Sequence, residues 1–395
     1  MLLAGSAKAD ITPSRPCHLS GYAARIQPSL GVHDPVHVRA VALSDGTRTA
    51  AVVSCDLLGF EVGFSDTLRE RVTAETPADY CLLACTHTHG GPAPMPLIEC
   101  GDVDLEWLRG VEGQIVQSVN TACEALAPCA ALCAYGGADV AMNRRAPIGG
   151  RTVLLSTVDE RPEEVPPGPV DRTLAVVSLR RPDGLGTATL VNYACHAVCL
   201  GHDNRLITAD YPGVLVEVLG GEESLGMPVF LQGACGNINP AVTHRGFDSA
   251  QAVGIELAEQ AKRAMANPIA SGDGPVRFTE RRLDLPLLGV DETVSAPVCA
   301  LACGGFAMVG LPGEVFVELG MQIRSRSPFP VTLVVGYANG DIGYVPTRSA
   351  YPEGGYEVEH AYRYYGFPAP LAPEAGEMMV EAGVECLNEC WRNTR

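Results

Sequence analysis

Short apolar runs alternate along the chain with amphipathic stretches and with polar, glycine-rich loops. Residues 37–56, "HVRAVALSDGTRTAAVVSCD", predict two strands joined at Asp45-Gly46, a dipeptide that is typical of a hairpin turn. A second hairpin is predicted over residues 173–196, with its turn at Asp183-Gly184. Between the two hairpins, "DYCLLACTH" (79–87) is almost entirely apolar, which favours a strand buried on both faces.

Longer amphipathic stretches separate these strands and predict helices. The predicted helices span residues 65–75, 104–127, 210–220, 247–266, 313–325 and 374–391, and further strands are predicted at 305–311 and 331–337. The alternation predicts a mixed α/β (α+β) fold in which β-sheets are flanked by helices. The proline-rich stretch 160–172 is typical of a surface loop, and candidate site residues lie on both sides of it. We therefore expect a single domain over residues 1–395.

The two predicted hairpins share a plan that suggests an internal duplication. Each consists of a strand, an Asp-Gly turn and a second strand that ends in a cysteine beside a polar residue. The first ends at Cys55-Asp56 and the second at Cys195-His196. Chance similarity between two hairpins is the alternative. Asp56 is also a candidate carboxylate for orienting a ligand histidine.

Polar residues follow the predicted strands at five places, usually beside glycines. Because strand ends collect loops at one edge of a mixed α/β sheet, we expect these side chains to form one site at that edge. They are His87 and His89, His196, Asn237 and Asn239, Glu314, and Asp341 with Tyr344.

The histidines and the glutamate in this set are residue types that bind zinc. Zinc in catalytic sites takes imidazole nitrogens and carboxylate oxygens and keeps one position for water. In an extended segment, residues i and i+2 share a face, so both histidines of "HTH" can point at the site without both binding metal. A hydrogen-bonded core histidine is the alternative for any one of them taken alone. Zinc is the expected cofactor.

Composition and charge indicate which classes of partner and which cellular compartment are expected. The net charge of −18 argues against nucleic acid and anionic membranes as partners. The longest apolar runs are too short for stable membrane insertion, and the N-terminal segment lacks the features of a signal peptide. Fifteen cysteines without a CxxC pair are typical of buried, reduced thiols. These features predict a cytoplasmic protein that acts on a small-molecule substrate.

Several motifs resemble the neutral/alkaline (non-lysosomal) ceramidase family. In chain order they are "ADITPSRPCHLSGYAAR", "GVHDPVHVRAVAL", "CTHTHGGP", "NYACHAVCLG", "ADYPG", "GLPGE" and "GYVPTRSAYPEGGY". The resemblance covers nearly the whole chain in the motif order of the family's catalytic domain. It implies a zinc-dependent amidase, without the immunoglobulin-like C-terminal domain of longer ceramidases.

The resemblance also implies roles for individual residues. The implied zinc ligands are His87, His196, Glu314 and Tyr344, with His89 beside the metal to assist the substrate. Tyr351 and Tyr356 lie close to Tyr344 in sequence, and the spacing of the family's tyrosines favours Tyr344. The "MNRRAP" motif places Arg144 in the site as a catalytic residue, and Arg25 in the opening segment is expected to contact the substrate.

One departure from the family pattern puts ceramide as the substrate in doubt. The family serine needed for catalysis is replaced in "GNINP" by Asn239, which can bind substrate but cannot act as a nucleophile. The nucleophile is then expected to be water activated by zinc. We expect hydrolysis of an amide or ester bond in a small or medium N-acyl compound. A zinc-dependent acyltransferase or cyclase, and a metal-binding homologue without activity, are the alternatives.

Overall fold

A computed structural model describes residues 1–243, 245–272 and 274–392. The strands are β1 (Leu2–Asp10), β2 (Gly31–Val32), β3 (His37–Ser44), β4 (Thr49–Cys55), β5 (Tyr80–Cys85), β6 (Ala127–Gly137), β7 (Ala141–Asn143), β8 (Arg145–Ile148), β9 (Arg151–Leu154), β10 (Thr173–Arg180), β11 (Gly186–Tyr193), β12 (Leu206–Ile207), β13 (Met227–Gln232), β14 (Ile238–Pro240), β15 (Ala270–Gly272), β16 (Arg277–Pro286), β17 (Thr293–Cys303), β18 (Phe306–Gly310), β19 (Glu314–Val315), β20 (Val331–Val335) and β21 (Tyr344–Val345). The helices are α1 (Val62–Glu75), α2 (Leu105–Glu124), α3 (Asp210–Gly220), α4 (Phe247–Met265), α5 (Val317–Ser325), α6 (Ala350–Glu353), α7 (Tyr356–Glu359) and α8 (Ala375–Arg392), with 3₁₀ turns at Val158–Glu160 and Ala361–Tyr365.

Two large sheets and two helical layers form an α/β/β/α sandwich. The larger sheet has the strand order β13-β11-β10-β6-β1-β3-β4-β5, with β15 added beside β6, and the smaller has the order β16-β17-β18-β20. Apolar side chains of both sheets form one core where the sheets face each other. The outer face of the larger sheet is covered by α1–α4, and that of the smaller sheet by α5 and α8.

The chain contains three copies of one supersecondary unit. Each unit has three antiparallel strands, a crossover helix, a fourth strand parallel to the third, and a helix that packs on the first two strands. The units are β1-β3-β4-α1-β5-α2, β6-β10-β11-α3-β13-α4 and β16-β17-β18-α5-β20-α8. The first two join through β1 and β6 into the larger sheet, and the third forms the smaller sheet alone. The duplication suggested by the hairpins is therefore present in the topology, with a third copy in addition.

The repeat explains why polar side chains meet at one edge. The third strands of the three units lead to Asp56, His196 and Glu314, and the fourth strands lead to His87, Asn239 and Tyr344. Parallel third and fourth strands end at the same edge of their sheet. Each of the three units therefore supplies side chains from the ends of its third and fourth strands, and these side chains could build one site.

The predicted elements agree with the structure except at some boundaries. Helix α2 ends at Glu124 because residues from Ala127 onward enter β6. Helix α5 begins at Val317, and not at residue 313, because Glu314 and Val315 pair with β21. All fifteen cysteines are unpaired and most are buried, as expected. Among the described residues, no helix is both long and apolar enough to cross a membrane.

Candidate metal centre

His87 is held at the end of β5 in a strained backbone conformation. Its φ of 60° lies in the left-handed region, which costs a residue other than glycine about 1–3 kcal/mol. The conformation persists because the His87 amide donates to Leu57 O at 2.9 Å and Nδ1 lies 2.8 Å from Leu58 O. The ring also stacks on Tyr337, with centroids 3.9 Å apart. Because Nδ1 faces a carbonyl, it carries the hydrogen, and Nε2 presents a lone pair.

His196 follows β11, and its ring is held, like that of His87, by backbone carbonyls near Nδ1. Its Nδ1 lies 2.7 Å from Cys235 O and 3.0 Å from Ile238 O. These two carbonyls assign the hydrogen to Nδ1 and leave the Nε2 lone pair for another partner. Burial lowers the pKa of His196 to about 4, with the nearby Arg144 guanidinium adding to the effect, so the ring is neutral at pH 7.

Glu314 completes a set of three converging acceptor atoms. Its Oε2 lies 2.9 Å from His196 Nε2 and 3.5 Å from His87 Nε2. Two imidazole Nε2 atoms and a carboxylate oxygen converge here, and this donor set suits zinc.

His89 lies beside this set. Its Nε2 is 3.2 Å from His87 Nε2, and ring nitrogens of His87, His89 and His196 all lie within 4.8 Å of one another. Burial, and then the neighbouring His87, hold the pKa of His89 well below its usual value. The rings of Tyr22 and His89 make an edge-to-face contact, with their centroids 4.9 Å apart. The structure therefore places His89 next to the three converging side chains.

Gly21 sets the position of the His89 ring. A Cβ on Gly21 would lie 2.3 Å from His89 Nδ1, so Gly21→Ala must displace the ring. We expect the substitution to lower turnover by about 10- to 100-fold, the scale of a misplaced catalytic group, with little loss of bound zinc. Steady-state kinetics and elemental analysis measure the two effects.

Gly46→Ala is the matched control for Gly21→Ala. Gly46 has a φ of 87°, close to the 101° of Gly21, and a Cβ there would meet nothing within 4 Å. The control carries the backbone strain without the clash, and its turnover should equal that of the parent. Equal activities of the two variants would show that the position of His89 does not limit the reaction.

Arg144 joins three side chains at the cavity wall. The buried guanidinium donates to Glu357 Oε1 at 2.9 Å, to Tyr344 Oη at 3.0 Å and to Asn239 Oδ1 at 3.3 Å. With Oδ1 engaged, the Nδ2 group of Asn239 remains as a donor for a ligand. Tyr344 is the direct neighbour of Glu314 in the parallel pairing of β19 with β21. The structure thus brings Arg144, Asn239 and Tyr344 to the same wall as the histidine cluster.

The three tyrosines considered as ligands occupy different places. Tyr351 donates its hydroxyl to Leu371 O at 2.6 Å, and Tyr356 lines the cavity with its ring 5.6 Å from that of Tyr344.

Tyr344→Phe removes the oxygen and keeps the ring, so we expect zinc affinity or turnover to fall by about 10-fold or more while folding is unchanged. Chelator competition on the Tyr344→Phe, Tyr351→Phe and Tyr356→Phe variants measures this. A larger loss in either of the other two would assign the ligand oxygen to that residue.

Arg25 lies behind His89. Its guanidinium donates to Ser20 O at 2.6 Å, His89 O at 2.5 Å and Asn204 O at 3.1 Å. Within the described residues it is not part of the cavity wall, which begins at Gly21, Tyr22 and the two alanines that follow. These contacts suit a residue that supports the backbone of His89, and substrate binding by Arg25 stays a prediction.

Asp56 does not orient a ligand histidine, so that interpretation is wrong. Its Oδ2 accepts from Arg39 Nη1 at 2.7 Å and from the His37 amide at 2.9 Å. Asp56 occupies the strand end equivalent to that of His196, but the buried Arg39 side chain pairs with its charge. The first unit therefore supplies its candidate metal-binding side chain from the end of its fourth strand, at His87.

A cavity of about 410 Å³ opens onto the histidine cluster. This volume lies toward the lower end of the 300–1,000 Å³ range of small-molecule sites. The sequence patterns did not indicate the roles of Gly21, Tyr22, Tyr365 and Glu357, which all lie in or behind the wall. The run of tyrosines in "AYRYYGF" was the one available signal for Tyr365. The lining residues include Tyr22, Leu58, Leu97, Leu155, Val198, Tyr356, Tyr364 and Tyr365 among the apolar and aromatic ones, and His87, His89, Arg144, Ser156, Asn239, Thr243, Glu314 and Tyr344 among the polar ones.

Comparisons with known proteins agree on the fold. A family model described as neutral/alkaline non-lysosomal ceramidase, N-terminal, matches residues 2–226. A neutral ceramidase from Pseudomonas aeruginosa superposes with a TM-score of 0.80 at 18% identity, covering 98% of this chain and 75% of that one. A ceramidase complexed with C2 gives a TM-score of 0.79 at 17% identity, with coverage of 99% and 75%. At these identities the structural likeness establishes a shared fold.

Proposed function

Because the chain belongs to the neutral/alkaline ceramidase family, we propose that it is a zinc-dependent hydrolase that cleaves an amide bond of a small or medium N-acyl compound. The observation that carries the proposal is the convergence of His87 Nε2, His196 Nε2 and Glu314 Oε2 beside a cavity that is lined by His87 and Glu314. In this proposal Tyr344 supplies the fourth protein ligand from the neighbouring strand. Zinc at this position would polarise a carbonyl group and lower the pKa of water to ~7.

The residues around the proposed metal ligands have other roles in the reaction, namely proton transfer, charge stabilisation and substrate orientation. His89 lies at the cavity wall beside His87, where it can take up a proton and deliver it to the leaving amine. Arg144 brings a fixed positive charge to the wall and favours the negative charge that develops on the carbonyl oxygen. Asn239 presents its Nδ2 group as a hydrogen-bond donor that orients the substrate. Neither Asn239 nor the thiols, whose burial opposes ionisation, supplies a nucleophile.

Turnover by metal-free and reconstituted protein tests the proposal. A panel of N-acyl amides of increasing acyl length should be hydrolysed only after zinc is restored, with release of the free acid and the amine. A parallel reaction with added amine distinguishes the acyltransferase alternative, in which the acyl group would appear on the added amine. Bound zinc without turnover of any amide or activated ester would instead favour a homologue without activity.

Ceramide is expected to be a poor substrate. Asn239 stands at the place of the family serine, and the cavity of about 410 Å³ leaves limited room for two long hydrocarbon chains. We expect ceramide to be cleaved at least about 10-fold more slowly than a short N-acyl amide. We expect Asn239→Ser to leave the ratio of the two rates unchanged, because cavity shape also sets specificity. Measurement of kcat/KM on both substrates, for parent and variant, tests both statements. Comparable rates on ceramide would contradict the first.

The cellular compartment forms part of the same proposal. All fifteen cysteines are unpaired, and burial raises the pKa of many of them, Cys81 and Cys133 to about 12. Protonated, buried thiols persist in a reducing environment. We place the protein in the cytoplasm on this ground.

A further inference from the structure

Tyr365 contacts the candidate metal centre through one carboxylate oxygen. It ends the 3₁₀ turn Ala361–Tyr365, and its hydroxyl donates to Glu314 Oε1 at 2.7 Å. Asp341 Oδ2 is a second carboxylate oxygen near the same hydroxyl, at 3.5 Å. One hydroxyl hydrogen cannot serve both carboxylates, and the shorter distance assigns it to Glu314.

The ring of Tyr365 is held in place by close packing. It lies over Gly343, where a Cβ would come within 2.9 Å of the ring and where φ is 77°. Gly343 also donates its amide to Asp341 Oδ1 at 3.0 Å. A larger residue at 343 would displace the ring. The glycine therefore permits the approach that brings the hydroxyl to Glu314.

The two oxygens of Glu314 consequently have different partners. Oε1 is engaged by Tyr365, whereas Oε2 faces His196 at 2.9 Å and His87 at 3.5 Å. The bond from Tyr365 therefore holds Oε1 away from the two histidines.

We infer that Tyr365 is a positioning residue that holds Oε1 of Glu314 aside so that a single carboxylate oxygen faces His87 and His196. The inference rests on the proposed function for the identity of the metal. It assigns to Tyr365 the role of an outer partner that orients a ligand, as carboxylates and carbonyls do for metal-binding histidines. It also explains why the 3₁₀ turn packs against the site although it is 51 residues away from Glu314 in sequence.

Tyr365→Phe isolates the hydroxyl because phenylalanine keeps the ring that packs on Gly343. We expect its zinc affinity, measured by chelator competition without substrate, to fall by about 10- to 100-fold. With zinc saturating, we expect kcat to fall while KM changes by less than about twofold, since the hydroxyl acts on Glu314 and not on the substrate. In the cobalt-substituted protein, the visible absorption spectrum should change shape, because the coordination of the metal by Glu314 changes.

Tyr362→Phe is the matched control. Tyr362 lies on the same 3₁₀ turn, and its hydroxyl accepts from the exposed Arg363 at 3.3 Å, away from the cavity. Its zinc affinity, kinetics and cobalt spectrum should equal those of the parent. Thermal unfolding of both variants checks that the fold is kept.

Two results would overturn the inference. Zinc affinity, kcat and cobalt spectrum equal to the parent in Tyr365→Phe would show that the hydroxyl does not position Glu314. A rise in KM with unchanged zinc affinity would make Tyr365 a substrate contact instead. Failure of the parent itself to bind zinc would reject the proposed function together with this inference, and is distinguished from the other outcomes because it needs no variant.

Discussion

Replacing His196 with alanine is expected to abolish tight zinc binding and to lower turnover by more than about a hundredfold. Loss of an outer partner alone costs 10- to 100-fold, so loss of a ligand should cost more. The His196 ring is fully buried and fixed by two carbonyls, so a water molecule replacing it would not reproduce its geometry. Elemental analysis and steady-state kinetics on the purified variant measure both effects. His87→Ala should behave in the same way.

His89→Ala is the control for the histidine variants. Its ring belongs to the same cluster. In the proposed function, however, His89 transfers a proton and does not bind the metal. It should retain most of the zinc and lose activity. Retention of zinc by His87→Ala, together with loss of zinc in His89→Ala, would reverse the ligand assignment within the "HTH" motif.

The second large effect concerns stability. Glu357→Ala is expected to lower the free energy of unfolding by about 3–5 kcal/mol, the cost of leaving a buried charge unpaired. The Glu357 carboxylate is buried and accepts from Arg144 Nε at 2.9 Å and from Arg145 Nη1 at 2.7 Å. The variant would leave two buried guanidinium groups without this partner. Denaturant unfolding of the parent and the variant measures the difference.

Glu353→Ala is the matched control for Glu357→Ala. Glu353 also pairs with Arg145, at 3.3 Å, but its side chain is 54% exposed. An exposed ion pair contributes only about 0–1 kcal/mol, so this variant should unfold at nearly the same denaturant concentration as the parent. Equal losses in the two variants would show that burial of Glu357 does not determine its contribution.

Local sequence patterns predicted the hairpins and most helices because their signals are themselves local. Asp45-Gly46 and Asp183-Gly184 form turns between strands, and the predicted helix at 210–220 is α3. The patterns did not predict β16 and β17, a long hairpin whose first strand carries many half-exposed polar residues. The third repeat could not be identified without this hairpin.

The sequence allowed us to predict that the site residues converge. It did not allow us to predict the contacts that hold these residues in place. Polar residues directly after apolar strands gather at one sheet edge, which is where His87, His196 and Glu314 meet. The bond from Tyr365 to Glu314 joins distant segments of the chain, and periodicity carries no information on such a pair. Asp56 shows the opposite case, since its strand-end position suggested a role that its pairing with Arg39 excludes.

The zinc content of the parent protein tests the central claim most directly. Protein purified without added metal, and the same protein stripped with a chelator and reconstituted, should each contain about one zinc per chain by elemental analysis. We expect this result from the converging nitrogens of His87 and His196 and the oxygen of Glu314. Protein that contains no zinc as purified and takes up none on reconstitution would contradict the account.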